Sequence, residues 1–428
     1  MKKKVAFHTL GCKLNFSETS SMAEGLKNNN FDIVDWNDTA DIYIINSCAV
    51  TAKAEKKCRE AIKKVKNHHP EAKVVVTGCY AEIKPDELEH NDKINIVLGN
   101  TEKYKLSKYI DDVEIHDFVD HSDVNKSNEF FPTFSQEGRT RTFFKIQDGC
   151  DYFCTYCAIP YARGRNRYNT IEKTVKVAYE IAKKGFKEVI LTGINIGEFG
   201  VKNGENFYEL IKKLDAVPKI ERYRISSIEP NLITDEIIEF VSKSEKFLPH
   251  FHIPLQAGSN TVLNLMERKY TTELFAKKIL KIKSLMPNAC VAVDVIVGFP
   301  GETDELFNET ISFIKSLPIS YLHVFTYSDR QITKAAKFSG QISGQIKNQR
   351  SKALHKLSDE LKDVFYHSNI DHESKVLFES HENNGYMYGY TENYVKVKVP
   401  YDQSLINDIK TIKITEVNDL ESVSAIIL

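Results

Sequence analysis

No apolar run in this 428-residue chain approaches the roughly 18–20 residues of a membrane-spanning helix, which excludes a helical membrane span. Net charge is equally scarce. Fifty-eight Lys and Arg stand against 59 Asp and Glu, a formal −1, so no global field draws in a polyanion. Any nucleic-acid contact must then come from local basic patches. Eight cysteines scattered along the chain are too few for a disulfide scaffold, and in a reducing compartment clustered cysteines more often bind metal or react. There is no internal repeat and no low-complexity tract. The start, "MKKKVAFHTLGCKLN", has the outline of a signal with a lipid-attachment cysteine. Its apolar stretch is far shorter than the roughly 7–15 residues of a signal core, and His8 interrupts it. A cytoplasmic protein, free of the membrane, is expected.

What is present is the composition of an ordinary globular protein, 42% apolar and 27% charged, with length for two or three domains. In the first 110 or so residues, "KVAFHTL", "FDIVDW", "DIYIIN", "KVVVTG" and "INIVLG" are short β-branched runs, the mark of strands buried on both faces. Polar segments with helical spacing lie between them. This α/β rhythm predicts a doubly wound parallel sheet in flavodoxin-like order over 1–112. Residues 113–138 lose the rhythm and read as a linker. A second α/β series over 139–370 carries six strand-like runs, from "RTFFKIQDGC" to "YLHVFTY", which suit a partial parallel (β/α)6 barrel. After the helix-like "KNQRSKALHKLSDELKDVFYHSNI", residues 371–428 alternate with period two and predict a small β-barrel.

"GCDYFCTYC" places Cys150, Cys154 and Cys157 in one loop after a predicted strand. Structural zinc, the competing reading, wants a fourth Cys or His, and none follows nearby. Three thiolates can instead hold three irons of a [4Fe–4S] cluster and leave the fourth iron open. Cys12, Cys48 and Cys79 lie far apart in sequence but share one setting, each just past the end of a predicted strand. In flavodoxin-like order those strands are neighbours, and their carboxyl ends open on one crevice. Small buried cysteines are common in strands and turns, which explains any one of the three but poorly explains three equivalent positions. Cys58 and Cys290 read as core residues.

Together "GCKLN", "NSCAVT", "GCYAE" and "DGCDYFCTYCAIPYARGRNR" resemble the radical S-adenosylmethionine (SAM) methylthiotransferase family over essentially the whole chain. "GCKLN" and "GCYAE" look like the branch acting on N6-threonylcarbamoyladenosine in tRNA. Other branches act on isopentenyladenosine or on a ribosomal-protein aspartate. The resemblance implies two [4Fe–4S] clusters, a TRAM-type RNA-binding barrel at the C-terminus and S-adenosylmethionine as both methyl donor and radical source. One cofactor molecule methylates a sulfur at the auxiliary cluster; another is cleaved to a 5′-deoxyadenosyl radical that activates C2 of the adenine. It further implies the tRNA anticodon loop, an external electron donor and a sulfur source as partners; the sequence is silent on oligomeric state, and a monomer is the default expectation. A non-catalytic iron–sulfur module for RNA binding or electron transfer is the rival of another class.

Expected cofactor contacts are Tyr156 in the cysteine loop and residues after later strands: Gly193 and Asn195, Ser226, Ser227 and Glu229, Pro254 and Gln256, Val297 and Phe299. Each stretch is also common in any α/β enzyme. Arg163, Arg165 and Arg167 could hold RNA phosphate or the threonylcarbamoyl carboxylate, against the reading of a solvated loop with ion pairs. The family often has Ser where this chain has Tyr168. In the last segment Tyr386, Tyr388, Tyr390 and Tyr394 interleave with Lys396 and Lys398, which suits stacking on RNA loops, although some must face a core.

Overall fold

Buried β-branched runs need two covered faces, and the N-terminal sheet supplies them. The computed structural model describes residues 2–110, 118–136 and 140–428. Strands β1 (Lys4–Thr9), β2 (Asp32–Val34), β3 (Ile42–Ser47), β4 (Lys73–Gly78), β5 (Ile96–Leu98) and β6 (Phe118–Asp120) pair in the order β2-β1-β3-β4-β5-β6. All are parallel, so the predicted flavodoxin-like order is present. The sixth strand was not expected. Phe118–Asp120 falls in the stretch read as a linker, where three residues between polar neighbours carry no periodicity to detect. Helix α1 (Lys13–Asn28) covers one face, and the helix Ala52–His68 covers the other with Cys58 in its core.

At the far end of the same stretch, β7 (Thr133–Phe134) runs antiparallel to β8 (Arg141–Lys145). A short antiparallel pair, β9 (Gln147–Asp148) and β10 (Arg167–Tyr168), brackets the cysteine loop and the basic loop after it. The parallel series continues with β11 (Glu188–Thr192), β12 (Arg222–Ile225), β13 (His250–Gln256), β14 (Cys290–Val297) and β15 (Tyr321–Thr326). These form two parallel sets, β8-β11-β12 and β13-β14-β15, joined by isolated bridges at Tyr223↔Phe247 and Ser227↔His252. A partial barrel of six strands in sequence order results. Its core is the largest in the molecule, built from Ile, Val, Leu and Phe of strands and outer helices.

The long helix Gly344–His367 packs on β15, and Leu322 donates its backbone N–H to Ser358 Oγ at 2.9 Å. It leads to a closed barrel of β16 (Glu373–Asn383), β17 (Tyr386–Tyr390), β18 (Lys396–Pro400), β19 (Ile409–Val417) and β20 (Val423–Ile427). Cys290 is buried where this barrel's core meets β14. Among the described residues, no helix is long and apolar enough to cross a membrane.

Candidate active site

The structure brings Cys12, Cys48 and Cys79 together at the carboxyl ends of the adjacent strands β1, β3 and β4. Gly11 makes the approach possible. Its φ is +99°, and a Cβ there would stand 2.7 Å from Cys48 Cβ and 2.9 Å from its sulfur. Asn15, the last residue of "GCKLN", closes the crevice. Its Nδ2 donates to the carbonyls of Leu10 (2.7 Å) and Ser47 (3.0 Å), and its Oδ1 lies 3.8 Å from Cys12 Sγ. Burial, then the neighbouring Cys79 thiol, push Cys48 up to about 12. A thiol in that range keeps its proton until a metal displaces it.

The second trio sits in the loop between β9 and the short helix Ile159–Arg163. Cys150 N–H donates to Gly164 O and Cys157 N–H to Cys154 O, both at 3.0 Å, while Thr155 is held by the carbonyls of Leu265 and Met266. Burial and the adjacent Cys154 push Cys157 up to about 12. Arg268, which no sequence motif marked, donates to Cys154 Sγ (3.1 Å) and Tyr156 Oη (3.3 Å) and pairs with Glu229.

None of the eight cysteines is in a disulfide. Among the described residues, one group of three His, Cys or carboxylate donors has all its donor atoms within 4.8 Å of one another: His252, Asp294 and His323. Neither cysteine trio is therefore closed around a single ion, where tetrahedral Zn–S bonds of about 2.3 Å set sulfurs about 3.8 Å apart.

A buried ion network ties the trios to each other. Glu18, from α1, accepts from Lys103 (2.7 Å), Lys145 (2.9 Å) and Arg163 (3.0 Å). Asp148 takes Lys145 at 2.7 Å and Arg163 at 3.0 Å. Three cations thus face two carboxylates, and the surplus positive charge of Arg163 lies toward Cys79 and Cys48. That excess suits an anionic group held by thiolates. Arg163 ends the five-residue helix that begins just after Cys157, and Ala162 of that helix is buried in the N-terminal core.

This corrects the reading of the basic loop. Arg163 is 1% exposed and its two terminal nitrogens bond to Glu18, Asp148 and Asn15, so RNA cannot reach it. Arg167 donates to the carbonyls of Val124 and Arg163. Only Arg165 is exposed, its guanidinium 4.4 Å from the Phe153 ring centre. Tyr168 packs on Phe199 and accepts from Lys202 N–H, a structural role.

Two recesses adjoin the cysteines. The smaller, about 190 Å³, lies beside Cys157 and is lined by Tyr156, Gln256, Asp294 and Ile296. Gln256 adopts a left-handed φ of +64° and leaves its buried Oε1 without a partner, as a ligand-facing group would. The larger, about 850 Å³, opens between all three parts of the chain. Cys12 and Lys13 form one wall, Gly193, Ser226 and Ser227 another, and Tyr390, Tyr394 and Lys396 a third. Ser226 Oγ is buried without a partner there. Asp294 borders both recesses and accepts from His252 at 2.6 Å. Burial, then His252, lower His323 to about 4, so it is neutral at neutral pH.

Other expected contacts fall elsewhere. Val297 and Phe299 are buried in apolar clusters behind the recess walls, and the Pro254 carbonyl accepts from Tyr270 Oη at 2.6 Å. Asn195 is buried off both recesses, its backbone N–H bonded to Gln147 Oε1. Tyr386, Tyr388 and Tyr390 share the outer face of β17, with Lys396 4.4 Å above Tyr388. Tyr394 turns inward, under Arg224 at 4.0 Å and bonded to Glu188, so it is unavailable for stacking on RNA.

Three family models match the chain: an uncharacterized protein family, UPF0004, over residues 4–99, the radical SAM superfamily over 144–314, and the TRAM domain over 372–426. The threonylcarbamoyladenosine tRNA methylthiotransferase MtaB of Bacillus subtilis is 41% identical over 96% of this chain and 93% of its own length. The tRNA-2-methylthio-N(6)-dimethylallyladenosine synthase of Halalkalibacterium halodurans is 30% identical over 97% of this chain and 79% of its own. Among solved structures, the radical S-adenosylmethionine methyltransferase TsrM from Kitasatospora setae, with cobalamin and a [4Fe-4S] cluster bound, aligns with a TM-score of 0.54. That alignment covers 78% of this chain and 77% of that one at 13% identity, and it speaks for the fold alone. Fold and matches together define a radical SAM enzyme. The chain belongs to the radical SAM tRNA methylthiotransferases, in the branch named for threonylcarbamoyladenosine.

Proposed function

We propose that the protein adds a methylthio group to C2 of N6-threonylcarbamoyladenosine beside the tRNA anticodon. In this reading Cys150, Cys154 and Cys157 hold one [4Fe–4S] cluster, Cys12, Cys48 and Cys79 hold a second, and the domains are 1–112, 139–370 and 371–428. The observation that carries it is the cavity of about 850 Å³, which has Cys12 on one wall and shares Asp294 and Phe325 with the recess beside Cys157. When bound, the clusters and S-adenosylmethionine supply a carbon radical, a methyl group and a sulfur site, chemistry that an unpolarised C–H bond requires.

The chain's own residues bind, orient and exclude water. Gln256 and Tyr156 line the cofactor recess, and Arg268 holds Cys154 and Tyr156 in one arrangement. A cavity of this size takes an extruded nucleotide rather than a stacked one. Ser226, His252 and Asp294 offer donors and acceptors to its edge. The outer tyrosines of β17 and the exposed Arg165 suit the surrounding RNA. Replacing Arg165 by Ala should weaken anticodon stem-loop binding and lower the salt slope by about one. Filter binding at several salt concentrations checks this.

Mass spectrometry of tRNA nucleosides from a strain lacking the gene tests the function. The 2-methylthio-threonylcarbamoyl nucleoside should vanish while the isopentenyl-derived one persists; the opposite pattern overturns the reading. Anaerobically prepared protein should carry about eight irons and eight sulfides, where a single cubane gives about four.

A further inference from the structure

Two basic residues of the large cavity, Lys13 and Arg224, make no ion pair among the described residues. Arg141 is matched by Glu379, and Lys362 and Lys396 lie over Tyr366 and Tyr388 on the side of the C-terminal barrel, which also carries Glu421. Lys13 and Arg224 differ. Lys13 has no hydrogen bond or ion pair among the described residues, and its ammonium lies within electrostatic reach of Arg224, Arg141 and Asp294. Arg224 is 8% exposed, and its polar contact is with neutral His250, at 3.2 Å from Nε to Nδ1. The Tyr394 ring, 4.0 Å away, fixes the plane of the guanidinium. Asp294 is already committed to His252.

Burial, then the guanidiniums of Arg224 and Arg141, push the Lys13 ammonium down from its ordinary value, the repulsion of like charges around one cavity that a bound anion would relieve. α1 starts at Lys13 with no acidic residue in its first turn and no side-chain cap, so the positive end of its dipole adds to the same wall. Such a wall wants an anion. Phosphate is the weaker fit, because the site adjoins Cys12 rather than the outer basic loop.

We propose that Lys13 and Arg224 form the receptor for the free carboxylate of the threonyl arm, and that this pair sets the substrate class of the enzyme. The proposal rests on the substrate reading above. In the adenine ring C2 and C6 both flank N1, so an arm on N6 ends within one side chain's length of the reacting carbon. A receptor for its carboxylate therefore has to stand beside the sulfur-donating cysteines, and Lys13 follows Cys12 directly. A guanidinium such as that of Arg224 can hold a carboxylate through two parallel hydrogen bonds, and Lys13, lining the same cavity, adds a second positive group. A hydrocarbon arm in the same place would leave both cations desolvated and unpaired, which rejects it.

The test uses the holoenzyme and three anticodon stem-loop RNAs, carrying threonylcarbamoyladenosine, its carboxamide, or isopentenyladenosine. Affinity is read by fluorescence anisotropy and turnover by kcat and KM. The wild type should prefer the acid over the carboxamide by about ten- to a hundredfold, mainly in Kd and KM. Lys13→Gln should bring the two RNAs within about threefold of each other, and Lys13→Arg should restore most of the gap. Arg224→Gln, away from the cysteines, should do the same as Lys13→Gln, and it decides the matter where Lys13→Gln fails to retain iron. Equal affinity of the wild type for acid and carboxamide, with turnover of the acid intact, overturns the receptor and leaves the proposed function standing. An unchanged preference in Arg224→Gln also overturns it. A wild type that does not modify the acid RNA overturns both.

Discussion

Cys48→Ala protein should still cleave S-adenosylmethionine but leave tRNA without a methylthio group, while Cys154→Ala should lose both activities. The separation follows from where the sulfurs sit. Cys48 follows the last residue of β3 in the N-terminal sheet, under Gly11, and is not among the residues lining the recess beside Cys157. Cys154 is bound to Arg268, which also holds Tyr156 on the wall of that recess. Removing one buried sulfur costs about 1 kcal/mol of packing, too little to unfold either domain. Anaerobic incubation with dithionite, followed by chromatography of 5′-deoxyadenosine and of RNA nucleosides, gives both readouts at once. Iron should fall from about eight to about four per chain in each variant. A Cys48→Ala enzyme that still thiomethylates RNA would remove the N-terminal trio from the chemistry.

The parts legible in the sequence are those with local signatures. β-branched runs announce the parallel strands, and a cysteine directly after each of three runs announces a shared crevice once strand order is known. Asn15 lay inside a recognised motif and Asp294 inside a strand-like run, yet neither had a role before its contacts were visible. The ion network was illegible for a different reason. Glu18 meets Lys103, Lys145 and Arg163 across 85, 127 and 145 positions of sequence, and no periodicity links such distances. Three arginines in a glycine-containing loop therefore read as one basic patch. The fold divides them, burying Arg163, bonding Arg167 to backbone and leaving Arg165 outside.

Glu18→Gln should be the most damaging single change outside the cysteines. The carboxylate is fully buried, and burial alone would raise its pKa; Arg163, Lys103 and Lys145 overcome that and hold it well below 4.5. A neutral amide leaves Lys103 without a carboxylate and Lys145 and Arg163 with Asp148 alone, a loss of about 3–5 kcal/mol. For a domain of this size that lowers the melting temperature by about 10 °C or more. The damage should reach both trios, because Arg163 links Glu18 to Asn15 beside Cys12 and closes the helix that follows Cys157. Differential scanning fluorimetry, iron content and limited proteolysis should therefore move together. The pH dependence supplies the sign. A carboxylate with a depressed folded-state pKa stabilises fully above its unfolded value of 4.5, and the gain drains as pH falls from there toward the folded value. The drain is about 1.4 kcal/mol per pH unit, so the gap between wild type and Glu18→Gln should narrow by about 2 kcal/mol near pH 3. A gap that stays constant on acidification would mean that the charge on Glu18 is not what joins the two halves of the site.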